Sequence, residues 1–309
     1  MLVSIVILTF RRGESIHTLL SQLTALNDQA LEIIVVDNGS GPETAKTIGA
    51  DFPQVRLVVL EENKGVGSRN RGLEVAQGEV VVTLDDDMVD FTADALAHLR
   101  RRFGENQKLG AINFKVVWPG TDKVRDWVHR RPTSYSASNF PTYEITEGAV
   151  AWRLKALKEV GYYREDFFIS HEGVELAFRL LDHQWLIEYD GAVVVGHAHA
   201  LGGRTSWRRY YYDTRNMFGV AVLHMPPGYA LRYLFVGVGA MFVYSLRDRH
   251  LWAFMRGLAH GLGRLSLFRR ERKVWTSRTA AVVAESDSWR PGFLKMFWRR
   301  LRQKDFSME

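Results

Sequence analysis

Three consecutive carboxylates follow an apolar run in this chain of 309 residues. The run extends from Glu79 to Leu84, and its β-branched residues predict a buried strand. The acids are Asp85, Asp86 and Asp87. Carboxylates clustered at a strand end repel one another unless a cation lies between them. A divalent metal shared with a phosphate meets that need, because hard cations prefer oxygen ligands. The alternative is a solvated acidic turn.

A second acidic cluster lies in a predicted helix that begins at Glu172. Glu172, Glu175 and Arg179 are three and four residues apart, so they share one helical face. We expect Glu175 to pair with Arg179. Glu172 then points into the site from the start of the helix and is the candidate general base for an acceptor hydroxyl.

Alternating strands and helices must position these acids. The order and spacing of the elements predict an α/β domain with a parallel sheet and right-handed crossovers. Residues 119–147 are polar and contain three prolines, so they are predicted to form a long, mobile loop. The predicted strands are 2–9, 33–36, 55–60, 80–84, 111–118, 186–189 and 193–195, and the predicted helices are 15–27, 44–50, 68–76, 96–103 and 172–181.

Composition limits the class of protein. The chain is 46% hydrophobic and 25% charged, which suits one large domain or two modest ones. It contains no cysteine, so disulfides, thiolate metal sites and cysteine nucleophiles are excluded. The first apolar run reads as a strand rather than a signal peptide. We therefore expect a cytoplasmic protein, peripheral on the inner face of the membrane.

Charge divides the chain into an acidic part and a basic part. From Arg204 onward there are 20 Lys and Arg against 7 Asp and Glu, whereas residues 1–203 carry 21 against 28. We predict a catalytic domain over 1–203 and a basic, apolar helical region over 204–309. Residues 216–231 and 233–246 lack charged side chains, but each stretch is shorter than the ~20 residues that span a bilayer.

These two stretches predict a helical hairpin at an anionic membrane interface. Trp252, Trp275, Trp289 and Trp298 stand among many arginines, which also suits such an interface. The alternative is a set of ordinary helices that pack on the catalytic domain.

Several segments together resemble the family 2 glycosyltransferases of the GT-A fold. They are, in order, 3–10 (VSIVILTF), 33–40 (IIVVDNGS), 63–72 (NKGVGSRNRG), 84–87 (LDDD) and 167–172 (FFISHE). The likeness covers about residues 2–200 and is greatest to a rhamnosyltransferase-like bacterial branch. It implies a Rossmann-like, mostly parallel sheet flanked by helices, with a C-terminal α-helical region.

The resemblance implies a nucleotide-sugar donor, with UDP or dTDP as the nucleotide. Asp37 would accept hydrogen bonds from the base, and Arg69 would face the phosphates. Asp37 could instead cap a helix, and Arg69 could instead pair with a structural acid. The implied donor-binding residues are Thr9, Phe10, Arg11, Asp37, Asn38, Gly65, Arg69, Asp85 and Asp86.

The triplet matches the DXD motif of the family, which implies Mn²⁺ or Mg²⁺. Asp87 is expected to contact the metal directly, and Asp85 to lie nearer the ribose or diphosphate while also serving the metal. A histidine after the last strand would complete the metal site, since neutral imidazole is a common ligand. The spacing favours His197 over His199.

On the acceptor side, the resemblance implies an inverting displacement with Glu172 as the base. Many members carry a second acid directly after this position, often assigned as the base, but this chain has Gly173. The identity of the base therefore stays open. Trp152 and His171 are expected to face the acceptor, although Trp152 could equally be a core residue.

The function predicted is sugar transfer to a hydroxyl of a glycan, glycolipid or natural product. No nucleic-acid motif is present, so a nucleic-acid partner is not expected. One alternative is a degenerate scaffold that binds nucleotide sugars without turnover. A weaker alternative is a nucleotidyltransferase, for which 11–13 (RRG) gives only a faint signature.

Overall fold

A computed structural model describes residues 1–198 and 206–289. His199 and Trp298 lie outside the described residues. Four parallel strands form one half of the sheet, in the order β3, β2, β1, β4. Their apolar runs are covered by helices, as the composition of a buried parallel sheet requires. The strands are β1 (Val3–Thr9), β2 (Leu31–Asp37), β3 (Arg56–Val59) and β4 (Val80–Asp85), and the helices between them are α1 (Gly13–Ala25), α2 (Pro42–Asp51) and α3 (Arg69–Val75).

The predicted α/β sheet flanked by helices is present, and the other half of the sheet is mixed because antiparallel strands join the parallel ones. Strand β8 (Ala149–Arg153) pairs antiparallel with both β4 and β6 (Leu109–Val117). Strand β9 (Leu186–His197) runs parallel to β6, with a register shift where the sequence predicted a break between two strands. The edges are completed by two short antiparallel strands on β9, β5 (Met88–Val89) and β7 (Asn139–Pro141).

The segment 119–147 is packed rather than a free loop, so the prediction of a long mobile loop is wrong. It includes β7 and a buried aromatic cluster in which Trp127 and Phe140 contact Tyr189 of β9. His129 lies against the same three rings. Burial lowers the pKa of His129 to about 3, so its imidazole is neutral. Scattered prolines and polar residues hid these contacts from the sequence analysis.

Three helices flank the mixed half of the sheet, and five more follow residue 206. Helices α4 (Ala93–Glu105), α5 (Leu154–Val160) and α6 (Glu172–Asp182) belong to the first group. Those past residue 206 are α7 (Trp207–His224), α8 (Pro227–Arg247), α9 (Leu251–Gly263), α10 (Leu265–Arg270) and α11 (Ser277–Ser288).

Part of the C-terminal region shares the catalytic core, as the packing alternative expected. Val220 of α7, Phe268 of α10 and Val283 of α11 belong to the same buried cluster as Leu176 and Phe178 of α6. Helices α8 and α9 instead pack with α7 in a smaller cluster. The boundary at 203/204 stays a prediction, because residues 199–205 are not described.

Helix α8 is longer than the charge-free stretches suggested, since it continues through Arg232. Within the described chain it is the one helix whose length and composition would allow it to cross a membrane, with 21 residues and a mean hydropathy of 1.4. Only 17% of its most apolar window is buried inside the protein. Length and composition alone are weak evidence for a span, but they show that α8 exposes much of its apolar surface.

Candidate active site

The carboxyl ends of β1, β2 and β4 bring the predicted donor residues to one edge of the sheet. Thr9 pairs in register with Asp37, and Leu8 of the same strand pairs with Asp85. Ligands of open α/β sheets bind at this edge. The structure therefore gathers the first two strand ends and the acid triplet in one place, as the sequence predicted.

Thr9 contacts the acid triplet from the protein interior. Its hydroxyl donates a 2.8 Å hydrogen bond to Asp86 Oδ2, and Arg12 donates a 3.1 Å bond to Asp86 Oδ1. Thr9 is 1% exposed, so the expectation that it lines the nucleotide pocket directly is not supported. Burial raises the pKa of Asp86 to about 6, although Thr9 and Arg12 oppose the shift. Asp86 is thus a structural centre of the triplet rather than a solvated neighbour.

Asp87 and His197 face each other across the pairing of β5 with β9. His197 Nε2 lies 3.2 Å from Asp87 Oδ1, and His197 Nδ1 lies 2.6 Å from Asp126 Oδ2. Arg12 Nη1 also contacts Asp87 Oδ2 at 2.5 Å. Burial by itself lowers the pKa of His197, but hydrogen bonds to Asp126 and Asp87 outweigh it and raise the pKa to about 9. His197 thus lies beside the triplet, and its predicted role as a metal ligand stays a prediction.

This arrangement fits a divalent metal that completes its coordination on a ligand. A carboxylate and an imidazole nitrogen converge, and the second ring nitrogen is held by Asp126, as is usual for histidine ligands. Among residues 1–198 and 206–289, no group of three or more His, Cys, Asp and Glu side chains is arranged to hold a metal. The remaining positions would go to donor oxygens and water, as Mg²⁺ and Mn²⁺ sites at phosphates allow.

Asp85 and Arg69 form an ion pair at the edge of the site. Arg69 is 2% exposed, and burial opposes its charge, yet the nearby acids raise its pKa. Arg69 thus pairs with Asp85, a candidate donor and metal residue rather than a structural acid, and the contact of Arg69 with phosphates stays a prediction. The role of Asp85 toward metal or ribose stays a prediction.

Asp37 remains the best candidate for the nucleotide base. Its Oδ1 accepts a 2.9 Å hydrogen bond from the Ser40 backbone, whereas its buried Oδ2 has no hydrogen-bond partner. The following helix is capped at Gly41, not at Asp37, which removes the capping alternative. Phe10 and Arg11 lie beside it, with the Arg11 guanidinium 5.0 Å from the Phe10 ring centroid. Their contact with the donor stays a prediction.

Asn38 and Gly65 shape the loop after β3 instead of facing the donor. The Asn38 side chain hydrogen-bonds to Asn63, Lys64, Gly65 and Ser68. Gly65 has a φ of +79°, and a Cβ there would lie 2.0 Å from the Phe168 carbonyl oxygen. The close approach that Gly65 permits is therefore to the segment that leads to Glu172. Both predicted donor contacts are corrected.

Glu172 begins α6 and is 2% exposed. Its Oε2 is buried without a hydrogen-bond partner. Burial raises the pKa of Glu172 to about 7, while Arg69 opposes the shift. Glu175 behaves as predicted, since Arg179 Nη2 lies 2.7 Å from its Oε2. Burial opposes the ionisation of Glu175, but Arg179 and His224 hold its pKa at about 2, so it cannot serve as a base near neutrality.

The segment before Glu172 has an unfavourable backbone that α7 holds in place. Phe168, Ser170 and His171 have φ values of 64°, 74° and 68°. Such left-handed conformations cost about 1–2 kcal/mol per residue. Asn216 Nδ2 donates to the Phe167, Ile169 and Ser170 carbonyls at 2.7–3.0 Å. Arg215 Nη2 donates to Asp166 and Phe167. The Arg215–Asn216 pair of α7 therefore holds the segment that presents Glu172.

The two acceptor-side predictions have different outcomes. Trp152 is 0% exposed, and its indole nitrogen donates a 3.1 Å hydrogen bond to Thr83 within the sheet. It is a core residue, as the alternative held, and the acceptor-side assignment is wrong. His171 is partly buried directly before Glu172, and burial lowers its pKa. Its contact with an acceptor stays a prediction.

Three residues of the site were missed by sequence reasoning. Arg12 contacts two acids of the triplet, Asp126 holds His197, and Glu147 lies beside α6. None of the three lies in a recognisable sequence motif, because each is brought to the site by a turn or a long connection. The glycine at 173 was the one available signal, since an acid missing from its usual place invites a search for another.

The structure combines a mixed sheet, strand ends of the kind that bind nucleotides, a DXD triplet and a buried carboxylate on α6. This combination is typical of glycosyltransferases of the GT-A fold. A family profile described as "Glycosyl transferase family 2" matches residues 4–161. The chain belongs to this family.

Curated relatives cover the catalytic part. The poly-beta-1,6-N-acetyl-D-glucosamine synthase of Staphylococcus epidermidis is 27% identical over 200 residues, 61% of this chain and 48% of the relative. The glucosyl-dolichyl phosphate glucuronosyltransferase of Haloferax volcanii is 31% identical over 138 residues, 43% of this chain and 41% of the relative. The chain thus spans about half the length of these relatives or less.

Solved structures share the fold over a greater length. The mannosyltransferase PcManGT from Pyrobaculum calidifontis, solved with GDP-Man and Mn²⁺, aligns with 97% of this chain and 84% of its own, with a TM-score of 0.56 and 16% identity. Staphylococcus aureus TarS 1-349 aligns with 100% of this chain and 94% of its own, with a TM-score of 0.58 and 16% identity. GalNAc-T7, solved with UDP, GalNAc and Mn²⁺, gives a TM-score of 0.59 at 16% identity over 85% of this chain and 57% of its own. At such identities the likeness shows the GT-A fold alone.

Proposed function

We propose that this protein is an inverting, divalent-metal-dependent glycosyltransferase that moves a sugar from a nucleoside diphosphate to an acceptor hydroxyl. The observation that carries the proposal is the Glu172 carboxyl, which is buried with an unpartnered Oε2 and has a pKa of about 7. It faces the Arg69–Asp85 pair, at the sheet edge where Asp87 meets His197. A base poised near neutrality suits removal of a hydroxyl proton.

Each residue has one task in this mechanism. Asp37 accepts hydrogen bonds from the base through its free oxygen, and Asp87 and His197 hold the metal. When bound, the metal neutralises the charge that develops on the departing diphosphate. Glu172 takes the proton from the acceptor hydroxyl as that oxygen attacks the anomeric carbon from the face opposite the diphosphate. Arg12 contacts Asp86 and Asp87 and would offset their negative charge beside the metal site.

The donor class rests on similarity. Two structural neighbours contain Mn²⁺, one with GDP-Man and one with UDP and GalNAc. Because nucleotides differ among enzymes of this fold, we propose a UDP- or dTDP-linked sugar and a carbohydrate, lipid-linked or small-molecule acceptor. The relative from S. epidermidis, a polysaccharide synthase by name, favours a glycan acceptor.

We further propose that α8 and α9 contact an anionic membrane from the cytoplasmic side. The exposed side chains on these helices include Leu231, Phe235 and Trp252, at 72%, 82% and 50% exposure. Exposed Arg232, Arg249 and Arg256 stand among them. Large apolar side chains flanked by arginines are typical of helices that lie at a lipid interface.

A degenerate scaffold is the second candidate, because the chain has Gly173 where many relatives carry an acid. The test is turnover with a panel of nucleotide sugars and acceptors, comparing wild type with Glu172→Gln. Release of nucleoside diphosphate that depends on acceptor and is lost in the variant supports the transferase. Donor binding without release in the wild type favours the scaffold, and pyrophosphate release from a nucleoside triphosphate favours a nucleotidyltransferase.

A further inference from the structure

The space beside Gly173 is filled by a carboxyl group from another segment. A Cβ placed on Gly173 would lie 1.8 Å from Glu147 Oε1 and 2.9 Å from Ile145 Cβ. Glu147 comes from the connection that leads into β8, 26 positions earlier in the chain. No side chain fits at 173 while the Glu147 carboxyl is there. Gly173 therefore leaves room for an acid that arrives from elsewhere.

The Glu147 carboxyl is only partly satisfied. It accepts a hydrogen bond from the Gly173 backbone at the start of α6. Its Oε2 is buried without a hydrogen-bond partner, as is Oε2 of the neighbouring Glu172. Two adjacent buried carboxyls with one unpartnered oxygen each are costly as purely structural groups. Such an arrangement is typical of a site that handles protons.

The charges around the two carboxyls leave a negative excess, which favours a bound proton. Asp85, Glu147 and Glu172 would carry three negative charges, but Arg69 supplies one positive charge. Burial and the charge of Glu172 raise the pKa of Glu147 well above its usual value, and burial also raises the pKa of Glu172. The other charged and titratable groups that face this pair come from α3, β4, α7 and the segment after α5: Arg69, Asp85, Asp213 and Tyr163.

We propose that Glu147 is the second acid of the transferase site, a positioning residue whose neutral carboxyl occupies the volume beside Gly173 and keeps Glu172 as the group that ionises. The proton stays on Glu147, and Glu172 takes the proton of the acceptor. The inference rests on the proposed function and explains how the site works without an acid at 173. It also requires that a carboxyl placed at position 173 can replace the Glu147 carboxyl.

A purely structural role for Glu147, as a cap on α6, makes different predictions. Glu147→Gln keeps the volume, the neutral charge and an oxygen for the Gly173 N–H. Glu147→Ala is also neutral but removes the volume and the oxygen, and Glu147→Ala with Gly173→Asp returns a carboxyl from the helix itself. Glu188→Gln is the matched control, because Glu188 of β9 is a part-buried carboxylate that is ion-paired with Arg102 of α4.

The experiment measures steady-state kinetics and thermal stability of these variants. We expect Glu147→Ala to lower kcat at least tenfold with the donor KM unchanged, Glu147→Gln to keep most of the turnover, and the double variant to recover at least threefold over Glu147→Ala. Glu188→Gln should match wild type. Full turnover in Glu147→Ala would overturn the proposal, as would a double variant no better than Glu147→Ala. A folded Glu147→Gln as slow as Glu147→Ala would show that Glu147 works ionised and would also overturn it.

A second readout does not depend on turnover. The infrared carbonyl band of a protonated carboxylic acid is separate from the carboxylate bands. The difference spectrum of wild type minus Glu147→Gln at pH 7 should contain this band, whereas wild type minus Glu188→Gln should not. Its absence would refute the neutral Glu147 even in an active enzyme. If the band is present but no donor is turned over, the proposed function fails and the proton assignment stands.

Discussion

Asp87 Oδ1 lies 3.2 Å from His197 Nε2, although the two residues are 110 positions apart in the chain. The antiparallel pairing of β5 with β9 creates this contact, because Met88 is opposite His197. Asp126 holds the far side of the imidazole. This relationship joins the DXD triplet to the end of the last strand and supports a shared role toward a metal.

The first prediction concerns this pair. Asp87→Asn should abolish the stabilisation that Mn²⁺ adds to nucleotide binding, because a neutral amide oxygen is a weak ligand for a hard cation. Asp90→Asn is the matched control, since Asp90 is exposed three positions later and asparagine tolerates its φ of 63°. Calorimetry of nucleotide binding with and without Mn²⁺ measures the effect. An unchanged metal dependence in Asp87→Asn would remove Asp87 from the metal site.

The second prediction concerns the base. Glu172→Gln should lower kcat by about 10²–10⁴-fold, which is the usual contribution of a general base. Donor affinity should stay intact. Because the pKa of Glu172 is about 7 and the ionised form is active, kcat/KM of the wild type should rise with pH through about 7. Activity of the variant near the wild-type level would assign the base elsewhere.

Stability gives an independent check on Glu172. Its folded-state pKa is raised, so its contribution to stability is present at low pH and is lost as the pH rises through about 7. Glu172→Gln removes that loss. We therefore expect the variant to be at least as stable as wild type at pH 8, as measured by urea unfolding. A less stable variant at pH 8 would contradict the raised pKa.

The third prediction concerns the segment that presents Glu172. Asn216→Ala should leave the Ile169 and Ser170 carbonyls without their side-chain donor, which costs about 1–3 kcal/mol per unsatisfied buried group, while Phe167 keeps its bond from Arg215. We expect a lower thermal midpoint and a loss of kcat at temperatures where the variant is still folded. Asn139→Ala, at an exposed position on β7, should change neither quantity. Unaltered kcat in folded Asn216→Ala would show that α7 does not position the base.

The fourth prediction concerns the membrane. Leu231→Glu with Phe235→Glu on α8 should reduce sedimentation with liposomes that contain anionic lipid, because two exposed apolar contacts become charged. Val59→Glu is the control, since Val59 is 55% exposed on β3. Point variants are preferable to truncation, because α7 shares the catalytic core. Equal sedimentation of all three proteins would reject this surface as the membrane contact.

How far the sequence predicts the structure depends on the range of the interactions. Runs such as Val80–Asp85 carry their own strand signal, and the Glu175–Arg179 pair follows from helical spacing. Strand β8 has only five residues, and its position between β4 and β6 is set by packing across the sheet. Local patterns cannot show such a partner, so the predicted sheet was parallel.

The site shows the same division. The strand ends and the DXD triplet were predictable because motif order and parallel topology bring them to one edge. Asn38 and Thr9 were misjudged, since only the folded chain shows that their hydrogen bonds are made inside the protein. Glu147 was not predicted, because it lies in no motif. Its relation to Gly173 is visible only in the folded chain, where the Glu147 carboxyl occupies the space of the absent side chain.

The central claim is tested most directly by thermal shift with nucleoside diphosphates and nucleotide sugars, each with and without Mn²⁺. A ligand that binds only the folded state raises the midpoint, because it stabilises that state by RT ln(1 + [L]/Kd). The account predicts that one nucleotide stabilises the protein with Mn²⁺, far less without it, and not in Asp87→Asn. Stabilisation by no nucleotide, or an equal shift without metal, would contradict it.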